Sequence, residues 1–138
     1  MEFLEQYAGR SSSANDGVGT TVSTVSHARR RFTLAEAQRL LPRVRALTEQ
    51  AVQAADQLSS TIQGMAKTDP RRAVTVTELE GVVVTWTGEV QALGLEVKGL
   101  WLADFDNGDG YYCWQYPEAV ILHYHGYDDG FAGRMKIV

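Results

Sequence analysis

The chain has 138 residues and a formal net charge of −4, with 44% hydrophobic and 22% charged residues. This composition is typical of one globular domain, and the sequence contains no run of about 18 apolar residues that could span a membrane. The acidic balance also argues against a nucleic-acid-binding protein, which needs a concentrated basic surface. The N-terminus lacks the features of a secretory signal, and the lone Cys113 cannot form an internal disulfide. We therefore expect a cytoplasmic protein.

Residues 1–31 are predicted to form a flexible polar leader. The stretch SSSANDGVGTTVSTVS has little apolar surface to offset the entropy that ordering would cost. The alternative is an arm that becomes ordered on a partner or a neighbouring subunit, with Phe3, Leu4 and Tyr7 as its anchors.

Two helices are predicted over residues 33–94. The first should begin at Leu34, because Thr33 and Glu36 form a capping box, and should end near Lys67. Apolar residues recur along it at alternating spacings of three and four, which is typical of a helix that packs against another helix. Pro42 falls inside this pattern and is expected to kink the helix.

The second helix is predicted to start at a capping box of Thr75 and Glu78 and to stop at Gly94 in a left-handed conformation. Its β-branched run, Val82–Thr87, would also suit a strand. The heptad spacing favours a helix and therefore an antiparallel helical hairpin; the residues that show it are Leu79, Val83, Trp86, Val90 and Leu93.

Residues 95–138 are predicted to form strands and a glycine-rich tail. Three strands are expected, at 100–105, 111–116 and 119–125. Asn107-Gly108 is typical of a type I′ hairpin turn. The predicted fold class is α+β: residues 32–138 form a two-layer domain in which the long helical hairpin packs on a three-stranded antiparallel β-meander.

Four segments between Phe32 and Arg134 stand out: FTLAEAQRLLPRVR, LGLEVKGLWLADF, YYCW and HGYDDGFAGR. Together they resemble a bacterial family known as domain of unknown function 2203. The sequence departs from the family pattern in its long polar leader and at Trp101, where relatives usually carry glycine. The resemblance supports the predicted fold and implies no activity.

Alternation along the strands assigns the side chains to two sheet faces. One face is predicted to be aromatic and to include His123 and His125, whereas the more aliphatic face includes Asp104 and Cys113 and is expected to pack against the helices. A one-residue shift in either hairpin would exchange these assignments. The aromatic face is the predicted interaction surface, formed by Trp101, Phe105, Tyr112 and Trp114.

Two candidate sites lie near the end of the last strand. His123, His125 and Asp128 are candidate ligands for a divalent transition metal, which with an open position would permit hydrolysis or oxygen chemistry. Arg134 and Gly133 are a candidate anion site, because a guanidinium beside flexible backbone amides can bind phosphate or carboxylate. The alternative for Arg134 is an ion pair with Asp104 or Asp128.

The remaining candidate residues suggest no chemistry. Cys113 is interpreted as a buried, small hydrophobic residue and not as a nucleophile, since the predicted register places it on the face opposite His125. The segment 104–110 resembles a calcium loop, but its oxygen spacing does not match an EF-hand, so a hairpin turn explains it better.

Two functions are compatible with these patterns. The first is an accessory or scaffold protein that binds a protein partner or itself through the helical hairpin and the aromatic sheet face. The second is a small metal-binding protein or metal-dependent enzyme centred on His123, His125 and Asp128. No motif assigns a reaction, so the sequence does not decide whether the protein is an enzyme.

Overall fold

Two long helices precede an antiparallel sheet in a computed structural model that describes residues 30–137. The helices and strands are α1 (Leu34–Gln63), α2 (Arg71–Ala92), β1 (Glu96–Gly99), β2 (Leu102–Asp106), β3 (Tyr111–Gln115), β4 (His123–His125) and β5 (Met135–Lys136). A short 3₁₀ turn, Phe131–Gly133, precedes β5. Within the described residues, neither helix is long and apolar enough to cross a membrane. The predicted anchors Phe3, Leu4 and Tyr7 lie outside this range.

Helix α1 begins as its sequence predicts. The Thr33 hydroxyl accepts a hydrogen bond from the Glu36 amide at 3.1 Å, and Glu36 Oε1 accepts one from the Thr33 amide at 2.8 Å, so the capping box is confirmed. The helix continues without interruption past Pro42. It ends at Gln63, a turn earlier than predicted, where Gly64 forms the C-cap.

Helix α2 starts about one turn before the predicted position. Asp69 Oδ1 accepts a hydrogen bond from the Arg71 amide at 2.9 Å, and its carboxylate also pairs with the Arg71 guanidinium. These contacts lower the pKa of Asp69 to about 2. The capping box predicted at Thr75 was wrong, because the helix already begins at Arg71, after Pro70, and the Thr75 hydroxyl donates to the Arg71 carbonyl at 3.0 Å inside the helix. The predicted stop is confirmed by the positive φ of 99° at Gly94.

The two helices pack along the predicted apolar seam and form a helical hairpin. The buried seam residues are Ala37, Leu41, Val44, Thr48, Ala51, Ala55 and Ile62 on α1, and Thr75, Leu79, Val83, Trp86 and Val90 on α2. The buried hydroxyl of Thr48 is fully paired: it accepts a hydrogen bond from Trp86 Nε1 at 2.8 Å and donates to the Val44 carbonyl at 2.7 Å. The two hydrogen bonds therefore offset the cost of removing this polar group from water.

The sheet contains five strands and not the predicted three. Its order, β1-β2-β3-β4-β5, with antiparallel neighbours, is a meander. The outer strands β1 and β5 have only four and two residues, which is too short to show the apolar alternation that identifies a strand in sequence. The β2–β3 hairpin forms where Asn107-Gly108 predicts it, but only Gly108 has a positive φ, so the turn is not type I′.

The register of β4 differs by one residue from the prediction. His123 pairs with Cys113 and His125 with Tyr111, so both histidines share a face with Asp104. The connection from Gln115 to β4 is longer than the tight turn that the sequence suggested. It shifts the register of β4 by one residue, and such a shift moves every side chain of the strand to the other face of the sheet.

The helices cover the aromatic sheet face, contrary to the prediction. Phe105 and Trp114 are 0% exposed in the main core, and Trp101 and Tyr112 are half-buried against it, so the predicted aromatic interaction surface is largely core. This arrangement buries the aromatic rings under the helices and leaves the Asp104 carboxylate on the opposite face.

Trp101 adopts an unusual backbone conformation, with a φ of 61° in the turn between β1 and β2. Glycine adopts positive φ without steric cost, whereas a side chain costs about 1–2 kcal/mol there. Both Trp101→Gly and Trp101→Ala lose the edge-on contact with Trp86 at 4.9 Å between ring centroids. We expect Trp101→Gly to be more stable than Trp101→Ala by about 1 kcal/mol in urea denaturation. If Trp101→Ala were the more stable variant, as at an ordinary strand position, the result would contradict backbone strain at Trp101.

Candidate functional site

The sheet face that points away from the helices is polar and is covered by the segment that follows β4. The Tyr127 hydroxyl donates a hydrogen bond to Asp106 Oδ1 at 2.7 Å, which holds this segment over the sheet. Within the segment, Asp129 Oδ2 accepts a hydrogen bond from the Gly126 amide at 3.0 Å. The polar groups beneath the segment are therefore shielded from water.

Asp104 and His125 form a buried pair at the centre of this face. His125 Nε2 lies 3.0 Å from Asp104 Oδ2, and the two side chains are 3% and 0% exposed. His125 Nδ1 lies 2.8 Å from the Gly126 carbonyl, which can only accept, so Nδ1 carries a proton. The contact between Nε2 and Oδ2 then requires a further proton on one of the two atoms, or another cation between them. Burial raises the pKa of Asp104, and its Oδ1 has no hydrogen-bond partner among the described residues.

Cys113 lies beside this pair and is fully buried, as its sequence context predicts. Burial, followed by the negative charge of Asp104, raises the pKa of the thiol to about 12. At neutral pH the thiol is protonated and is a poor nucleophile. The prediction that Cys113 and His125 lie on opposite faces was wrong, because of the register of β4.

Among residues 30–137, one group brings three potential metal ligands together: Asp104, Cys113 and His125 offer atoms that all lie within 4.8 Å of one another. The predicted trio shares only His125 with this group. His123 Nδ1 instead lies 3.5 Å from Glu118 Oε2, and Asp128 is exposed. Asp104, Cys113 and His125 lie on three different strands, so only the correct strand register could have identified them as neighbours.

Residues 30–137 match the family described as an uncharacterized conserved protein, DUF2203. The chain belongs to this family. The match spans both helices and all five strands of the DUF2203 chain, and it confirms the resemblance seen in the sequence. No curated protein and no solved structure shows significant similarity to it.

In the DUF2203 chain, Arg134 is paired with a carboxylate. Its guanidinium donates to both oxygens of Glu118, at 3.2 and 2.9 Å, and stacks on the Phe131 ring. The predicted partners were Asp104 or Asp128, so the partner differs although the ion pair is present. Because Glu118 already occupies the Arg134 guanidinium, an anion would have to compete with this carboxylate. The other predicted residue of the anion site, Gly133, packs against Asp129, where a Cβ would meet the Asp129 Cβ at 2.9 Å.

Of the two edges of the sheet, the one formed by β5 carries exposed apolar side chains. Tyr124 on β4 pairs with Met135 on β5, and the Leu122 carbonyl accepts a hydrogen bond from the Ile137 amide at 2.7 Å, so these residues are neighbours. Leu122 is 40%, Tyr124 38% and Met135 49% exposed. We call these three residues the edge strip. Since β5 is the last strand of the sheet, one side of its backbone is unpaired within the described residues.

Proposed function

We propose that this protein is an accessory protein that acts through protein–protein contact, and that it self-associates through the edge strip. The observation that carries the proposal is the combination of three neighbouring exposed apolar side chains with a free edge strand. Unprotected sheet edges pair readily with another chain, and contiguous exposed apolar residues are common at interaction sites. This proposal moves the contact from the aromatic sheet face, which is core, to the edge of the sheet.

A second copy suits this edge for a geometric reason. Two β5 strands paired antiparallel around a two-fold axis would join the meanders of both copies into one sheet of ten strands. Lys136 pairs with His123 and so lies on the polar face, away from the face that carries Tyr124 and Met135. The apolar side chains of the two copies would then meet without placing this lysine between them.

The small size of the edge strip sets the expected affinity. A stable interface usually buries about 800 Å² per partner, and three partly exposed side chains offer less than that. We therefore expect a weak dimer with a dissociation constant on the order of 1–100 µM.

Catalysis receives less support than protein binding. The three potential ligands of the polar face are at most 3% exposed, so a substrate cannot reach them in this conformation. The predicted cytoplasmic location and the predicted lack of nucleic-acid binding remain predictions.

The test compares two lysine substitutions at apolar residues of nearly equal exposure. Met135 on the edge strip is 49% exposed, and Val84 on α2 is 48% exposed. We expect light scattering to give a mass above that of the monomer, rising with concentration, for the wild-type protein and for Val84→Lys. Met135→Lys should remain monomeric over the same range, because it places a charge in the interface.

Two outcomes would contradict the proposal. If Met135→Lys associates as strongly as the wild-type protein, the edge strip is not the contact surface. If Val84→Lys alone loses association, the helical hairpin forms the interface.

A further inference from the structure

The facing atoms of Asp104 and His125 need a positive charge between them. Because Nδ1 keeps its proton for the Gly126 carbonyl, the neutral imidazole presents the lone pair of Nε2 to a carboxylate oxygen 3.0 Å away. Two acceptors at this distance repel each other unless a cation lies between them or beside both. A proton can fill this role, and so can a metal ion.

We propose that Asp104, Cys113 and His125 form a buried site for a divalent metal ion, with zinc as the best-suited ion. Zinc binds cysteine sulfur, histidine nitrogen and carboxylate oxygen, which are the three ligand atoms that this group offers. This site goes beyond the proposed function and does not depend on the edge strip.

The distances fit such a site. Zinc bonds of about 2.0–2.3 Å in a tetrahedral arrangement place neighbouring ligand atoms roughly 3.3–3.8 Å apart. The Nε2–Oδ2 distance of 3.0 Å lies just below this range, and the three ligand atoms all lie within 4.8 Å of one another. Only side-chain adjustments of a few tenths of an ångström to about 1 Å are needed.

The groups around the three ligand residues also suit a metal site. A metal-bound histidine usually donates its other ring N–H to a carbonyl or carboxylate, and His125 Nδ1 does so to Gly126. Among the described residues, Asp104 Oδ1 is buried without a hydrogen-bond partner, which is costly for a carboxylate and which a cation bound beside it would relieve. Arg134 lies 4.0 Å from Cys113 Sγ, where its positive charge favours the thiolate.

The charges balance in both states. Without metal, one proton shared by Asp104 and His125 and one proton on the Cys113 thiol leave the cluster neutral. A divalent ion would release both protons and bind one carboxylate, one thiolate and one neutral imidazole, which again sums to zero. A buried site that stays neutral avoids the large cost of an uncompensated charge.

The test uses cobalt as a spectroscopic probe on the full-length chain, after chelation and in buffer without thiols. A thiolate bound to cobalt gives a charge-transfer band in the near ultraviolet, and tetrahedral cobalt gives intense visible bands. Because Cys113 is the only cysteine in the sequence, such a charge-transfer band reports on this residue. We expect one cobalt ion per chain, displaced by one equivalent of zinc.

Two variants separate this site from the trio predicted from sequence. Cys113→Ser keeps the side-chain size and should lose the charge-transfer band and weaken cobalt binding by more than about 100-fold, since loss of an outer partner alone costs 10–100-fold. His123→Gln, on the same strand but outside the site, should bind as the wild-type protein does. Circular dichroism of the metal-free proteins checks that both variants fold.

Three results would overturn the site: a wild-type protein that binds no stoichiometric cobalt, binding without a charge-transfer band, or equal losses in Cys113→Ser and His123→Gln. If Cys113→Ser does not fold, the wild-type spectrum and the His123→Gln control still decide the question.

Discussion

Replacing His125 with leucine is expected to lower the free energy of unfolding by about 3–5 kcal/mol, measured by urea denaturation in the presence of a chelator. The substitution leaves the carboxylate of Asp104, which is 0% exposed, without its partner. The folded chain must then keep a buried charge or take up a proton on Asp104. Either route costs free energy at neutral pH.

The sign of the pH dependence follows from the same reasoning. Burial already raises the pKa of Asp104 in the intact pair, and loss of His125 should raise it further. A carboxyl with a raised pKa in the folded state binds its proton more tightly there than in the unfolded chain, so stability falls as pH rises above the ordinary carboxyl range. The defect of His125→Leu should therefore shrink in acid.

Two further variants complete this test. His123→Leu, on the same strand and partly exposed, should cost less than about 1 kcal/mol. The double variant Asp104→Leu/His125→Leu should recover much of the loss, because it removes the orphaned charge. A cost below about 1 kcal/mol for His125→Leu alone would show that the pair is not buried as described.

Replacing Trp86 with alanine is expected to cost about 3–5 kcal/mol of unfolding free energy. Trp86 is 1% exposed, lies in the helical seam, and packs edge-on against Trp101. Its removal leaves a large cavity and also takes the indole donor from the Thr48 hydroxyl. Thermal or urea denaturation monitored by circular dichroism measures the loss.

The control for this substitution is Val84→Ala on the same helix. Val84 is 48% exposed, so its truncation should change stability by no more than about 0.5 kcal/mol. Trp86→Phe should fall between the two, since it keeps an aromatic ring and loses the hydrogen bond. Similar losses for Trp86→Ala and Val84→Ala would contradict the position of Trp86 in the seam.

The helices could be predicted from sequence because their signals are local. The capping box of Thr33 and Glu36 and the three-and-four spacing along α1 depend on residues within a few turns of one another. The start of α2 was missed for a local reason as well, since the helix begins directly after Pro70, where Asp69 Oδ1 accepts a hydrogen bond from the Arg71 amide.

The candidate site could not be predicted, because it depends on strand register. Asp104, Cys113 and His125 come from three different strands, and a single extra residue in one connection decides whether they share a face. The sequence identified His125 as a candidate ligand but paired it with its neighbours along the chain, His123 and Asp128. Proximity in sequence is a poor guide to proximity in an antiparallel sheet.

The most direct test of the proposed self-association is sedimentation velocity of the wild-type protein across a wide range of concentrations. We expect a monomer at low concentration and a reversible dimer as the concentration rises through roughly 1–100 µM, consistent with a small apolar interface. A monomer with an unchanged sedimentation coefficient at every concentration would contradict self-association through the sheet edge.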